Sequence, residues 1–90
     1  MENKTKKQQY LIECQKDLEQ AEKKGGPTEH SLALANYGYA LCINNRRTEG
    51  MDYFDQAEII TGKEVEDIHV LAHALGRRCR PLAVLLSREL

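Results

Sequence analysis

The chain has 90 residues, 41% of them hydrophobic and 30% charged, with a formal net charge of −1. This describes one small folded domain over residues 1–90 with a thin core, and it excludes the broad basic footprint that nucleic acid requires. No apolar run approaches the ~20 residues that span a bilayer, and the odd set Cys14, Cys42 and Cys79 contains no CxxC pair.

Residues 1 to about 8 are polar and Lys-rich, and are expected to fray. MENKTKKQQY holds no apolar signal core, so the expected location is cytoplasmic, with the cysteines kept reduced. From about Lys7 to Lys24 the spacing predicts a helix. Tyr10, Leu11, Cys14, Leu18 and Ala21 form its stripe, while Lys16, Glu19, Gln20 and Lys23 face away and Ile12 is the apolar exception. Gly25-Gly26-Pro27 stops it. Thr28 is placed to cap a second helix, with Glu29 in its first turn, running to about Ile43 or Asn44. Leu34, Tyr37 and Leu41 share one face there, and Gly38 beside them lets another backbone come close. Asn44-Asn45-Arg46-Arg47 reads as a turn. Thr48 then reads as the N-cap of a third helix, with Glu49 favouring the positive end of its dipole.

In the third helix Gly50, Phe54 and Ala57 stand four and three apart, a small-large-small stripe that Cys14, Leu18 and Ala21 repeat on the first. After Gly62 a fourth helix is expected over about Lys63 to Gly76, with Ile68, Leu71, Ala72 and Leu75 on its stripe. A basic turn, Gly76-Arg77-Arg78-Cys79-Arg80, precedes Pro81, which suits the first turn of a fifth helix, PLAVLLSREL. Apolar residues cover most of that last helix, so it is expected to be buried on more than one side. Either it folds back into the bundle core, or a partner or second copy covers Leu82, Leu85, Leu86 and Leu90.

The order Leu34, Tyr37, Gly38, Leu41, Gly50, Phe54, Ala57, Gly62 resembles the tetratricopeptide repeat, without insertion. Ile68, Leu71, Ala72 and Leu75 follow the first four of these by 34 residues, the repeat length of that family. Leu34 stands where the family has Trp, and Gly62 where it has Pro. The resemblance implies an all-α fold, a five-helix antiparallel hairpin stack forming a short solenoid. One full repeat would occupy about residues 31–62, with partial repeats on either side.

In that family the first helix of each repeat lines a concave groove that binds peptides or helices. The resemblance places one wall of the groove on Leu32, Ala35, Tyr39, Cys42 and Ile43, and the other on Glu66, His69, His73, Gly76 and Arg77. These are also the positions beside each packing stripe, although Leu32 and Ile43 could equally pack against the first helix. An apolar wall facing a polar one suits an amphipathic segment of a partner protein. The clamp by which chaperone-tail binders hold a carboxylate is not expected, because Ala35, Asn36, Tyr39, His69 and His73 occupy its places and only Asn36 matches.

The implied function is protein–protein interaction, by a small cytosolic chaperone or adaptor; small bacterial type III secretion chaperones have this general shape. The alternative is a structural subunit whose final helix completes a neighbour's core. Glu66, His69 and His73 share a helix face, but no strong third ligand accompanies the histidines, so no metal or other cofactor is expected. Nor is an enzyme, since GxSxG, P-loop and HExxH patterns are all missing.

Overall fold

A computed structural model describes residues 5–62. They form three α-helices: α1 (Lys6–Lys24), α2 (Pro27–Ile43) and α3 (Arg47–Thr61). Among the described residues there is no strand, so the architecture is all-α. The fourth and fifth helices expected from the sequence lie outside the described residues. The central element is α2, which packs against α1 on one side and α3 on the other.

The first helix starts earlier than its apolar stripe suggests. Thr5 caps it, its hydroxyl accepting from the Gln8 backbone N–H at 3.1 Å while the Gln8 side chain accepts from Thr5 N–H at 2.9 Å. This reciprocal capping box satisfies two orphan donors of the first turn. The stripe on α1 is as read: Cys14 and Leu18 are buried, Tyr10, Leu11 and Ala21 half-buried, and Lys16, Glu19, Gln20 and Lys23 exposed. Lys23 and Lys24 in the last turn complement the negative end of the helix dipole.

Two start sites differ from the sequence reading. Gly26, not Thr28, is the N-cap of α2, and Pro27 occupies its first turn. Proline there loses nothing, because its missing N–H would have had no intrahelical partner, and its φ is already helical. Thr48 is not the cap of α3 either. That helix begins at Arg47, with Arg46 as N-cap making no side-chain cap bond. The reason lies in how α2 ends. Asn45 takes the left-handed conformation, φ 63°. Arg46 N–H then donates to Leu41 O at 2.9 Å and Asn45 N–H to Cys42 O at 3.2 Å. Two backbone bonds thus close the helix and reverse the chain early, a Schellman arrangement that Asn tolerates better than most residues with a Cβ. The Arg46 guanidinium turns back to Glu49, with 2.6 Å between Nη2 and Oε2.

The middle helix is not simply amphipathic. Ser31, Leu32, Ala33, Leu34 and Ala35 are consecutive and all buried, as are Gly38, Ala40 and Leu41. A helix covered on two sides buries most of its circumference. The α2–α3 side is built on the small-large-small stripe: Gly50, Phe54 and Ala57 are the buried residues of α3. A Cβ placed on Gly50 would lie 2.5 Å from the Gly38 carbonyl oxygen, and one on Gly38 would lie 2.7 Å from the Gly50 oxygen. The two backbones touch here, and a side chain on either residue would separate them. Phe54 fills the space beside the glycines and is fully buried with Leu34 and Leu41. Ser31 ties the same seam from one edge, its Oγ donating to Ala57 O at 3.1 Å. Near the other edge Tyr37 and Tyr53 meet edge-to-face, 4.7 Å between ring centroids.

At the end of α3, Gly62 has φ 66° and donates its N–H to Glu58 O. Proline could not take this place, since it is locked near −65° and has no N–H to give.

Candidate functional site

The α1–α2 seam is built from different residues. Leu18 packs into the core with Leu32 and Ala33, with Ala21 beside them. At one end Tyr10 meets Tyr39 edge-to-face at 6.1 Å, and Asn44 Nδ2 donates both to Ala40 O at 2.7 Å and to Lys7 O at 3.0 Å. Asn44 therefore anchors the start of α1 to the end of α2.

Between these contacts the seam opens into a groove of about 640 Å³. Cys14, Ala21, Leu32 and Ala33 form its apolar floor. Glu13, Asp17 and Gln20 rise from α1, Glu29 and Asn36 from α2, and Lys24 stands at one end. Glu13 and Asp17 are one helical turn apart on α1 and both exposed, so the rim carries more negative than positive charge. Among the described residues neither carboxylate forms an ion pair.

Cys14 is not a reactive thiol. It is 3% exposed, and burial, reinforced by Asp17 and Glu13, pushes its pKa up to about 11 against a hydrogen bond with Tyr10. A thiol that stays protonated at neutral pH is a poor nucleophile and metal ligand.

The α2 residues that the resemblance places on the wall of its groove have separate environments. Leu32 and Ala35 are buried, at 4% and 0% exposure, so Ala35 offers no surface to a partner and Leu32 offers one only at the groove floor. Tyr39 is half-buried and meets Tyr10. Cys42 packs at Gly50 and points its thiol to Arg47 O, 3.9 Å away. Ile43 is half-buried. The opposite wall, Glu66, His69, His73 and Arg77, and the interface candidates Leu82, Leu85, Leu86 and Leu90 lie outside the described residues.

The α1 contribution escaped the sequence reading. Glu13 and Asp17 flank Cys14 at helical spacing, and that spacing was the available signal for an acidic rim beside a small-residue floor. Among the described residues no helix is long and apolar enough to cross a membrane. No protein-family model, no curated protein and no solved structure matches the chain.

Proposed function

We propose that this chain is a protein-interaction module, resembling a short tetratricopeptide-repeat stack, that acts as a small adaptor or chaperone by taking an amphipathic segment of a partner. The observation that carries this reading is the α1–α2 groove, apolar at its floor and acidic at its rim. The floor supplies the affinity that comes from removing apolar surface from water. The rim supplies selectivity: carboxylates facing a ligand favour a cationic flank and penalise an anionic one. The preferred ligand is therefore a helix or extended segment with one apolar side bordered by Lys or Arg. Tyr10, edge-to-face with Tyr39, limits the groove at the end away from Lys24.

Two synthetic peptides sharing a leucine face, one bordered by lysines and the other by glutamates, test this against the full chain by amide chemical-shift mapping. The lysine peptide is expected to bind, with shifts centred on Cys14, Asp17, Ala21 and Leu32. Equal binding of both peptides, or shifts centred elsewhere, would overturn the assignment.

A further inference from the structure

A ligand of the required chemistry is present in the chain itself. Residues 78–90 read RCRPLAVLLSREL, in which Arg78, Arg80 and Arg88 stand against Glu89 alone. The 77 residues before them hold ten Lys and Arg against thirteen Asp and Glu. The net charge of −1 thus conceals an acidic body followed by a cationic, apolar segment. The groove is complementary to that segment on both counts, with Glu13, Asp17 and Glu29 on the rim and Cys14, Ala21, Leu32 and Ala33 on the floor.

We propose that residues 78–90 dock in the α1–α2 groove of their own chain, as a resident ligand that any external segment must displace. Leu82, Leu85 and Leu86 provide the apolar cover, and Arg78 and Arg80 meet the acidic rim. The tether allows it. With residues 63–76 in the helix expected from the sequence, the path from Gly62 to Arg78 spans about 28 Å, and fully extended it spans up to about 50 Å. The 19 residues of α1 extend only about 28 Å. A short tether also holds its ligand at an effective concentration in the millimolar range, so the chain's own segment prevails over that of a dilute second copy. This inference rests on the groove being a partner site and names its resting occupant.

The test compares the full chain with its Arg78→Glu/Arg80→Glu variant, using the lysine-bordered peptide as probe. A segment that occupies the groove nine-tenths of the time weakens the apparent affinity of a competitor about tenfold, so the variant is expected to bind the peptide about tenfold more tightly. Equal affinities would overturn self-docking and leave the groove standing as a partner site. Failure of the peptide to bind either form would overturn both.

Disulfide trapping locates the segment independently. With Cys14 and Cys42 replaced by alanine, Gln20→Cys on the rim is oxidised against the native Cys79. An intrachain disulfide is expected, forming at a rate independent of protein concentration and several-fold faster than from Gln56→Cys on the exposed side of α3. Equal rates from the two positions would refute docking in this groove. A concentration-dependent disulfide between chains would refute self-docking and transfer the segment to a second copy.

Discussion

Replacing Gly50 by alanine sets two known effects against each other. Alanine favours the helix over glycine by roughly 0.5–1 kcal/mol. Against this, the new Cβ would lie 2.5 Å from the Gly38 carbonyl oxygen and 2.5 Å from the Cys42 sulfur. Both distances fall about 1 Å short of ordinary contact. The Cys42 side chain can rotate away. The Gly38 oxygen cannot, because it belongs to the backbone of α2. The helices must therefore part by a large fraction of an ångström, which forfeits a quarter to a half of the dispersion attraction across each separated contact. Overpacking of this kind costs about 1–3 kcal/mol, leaving a net loss of up to about 2.5 kcal/mol, and about 1 kcal/mol at mid-range, after the propensity gain. In a domain of this size the mid-range loss lowers the melting temperature by about 5–10 °C, measured by thermal circular dichroism. Gly38→Ala meets the Gly50 oxygen at 2.7 Å and the Phe54 ring at 3.1 Å, and is expected to behave alike. Because either substitution opens the same seam, the double variant should cost less than the sum of the two. Gly26→Ala is the control, since no heavy atom lies within 4 Å of its added Cβ. It should shift stability by only a few tenths of a kcal/mol, through the weaker N-cap. A Gly50→Ala protein that melts at or above the parent temperature would refute the close approach of α2 and α3.

Removing the Ser31 hydroxyl as Ser31→Ala should cost about 1 kcal/mol in chemical denaturation, the usual worth of one buried hydrogen bond; an unchanged midpoint would mean its 3.1 Å bond to Ala57 O contributes nothing. At Asn45, φ 63° favours glycine, so Asn45→Gly should hold or raise the melting temperature, while Asn45→Ala should lower stability by about 1 kcal/mol. Cys14 predicts a pH dependence. Its pKa is raised by burial to about 11, so on unfolding the thiol becomes easier to ionise. Its contribution is therefore fully present below the usual thiol value and is lost as pH rises toward about 11; it amounts to about 2–3 kcal/mol at most. Between about pH 8 and 10.5 the parent should lose stability faster than Cys14→Ala, and parallel curves would show that the thiol ionises equally in both states.

The parts of the fold that were legible in the sequence are those set by side-chain size at helical spacing. Leu34, Leu41, Phe54 and Ala57 are buried where the small-large pattern puts them, and Gly38 and Gly50 are in contact. Helix starts were less legible. A threonine is a good cap by composition, and three were available, at Thr5, Thr28 and Thr48. Only Thr5 caps, because its partner Gln8 completes a reciprocal pair. Thr28 is pre-empted by Pro27, and Thr48 by the backbone closure at Asn45. The α1–α2 groove is a different one from that implied by the repeat resemblance, whose second wall lies outside the described residues. Placement along α2 alone could not show which side α1 covers, and that cover decides that Ala35 is core while Leu32 remains at a floor.

The contrast between the two seams gives the site its physical basis. Both helices packed on α2 carry a small-large-small stripe: Cys14, Leu18 and Ala21 on α1, and Gly50, Phe54 and Ala57 on α3. On α3 the first small residue is glycine, and it faces another glycine, so the backbones touch and Phe54 fills what remains. On α1 the corresponding residue is Cys14, which is buried and lines the groove, and the large residue is Leu18 rather than an aromatic. The first seam closes because nothing stands between its backbones. The second has a side chain at the first small position and a smaller residue at the large one, and it is open above Cys14, Ala21 and Ala33. This makes groove volume a quantity that substitution can adjust. Ala33→Leu would place a larger side chain on the floor and should block the lysine-bordered peptide while leaving the α2–α3 seam, and the effect of Gly50→Ala upon it, unchanged. Retained peptide binding by a folded Ala33→Leu protein would show that the ligand does not reach the floor.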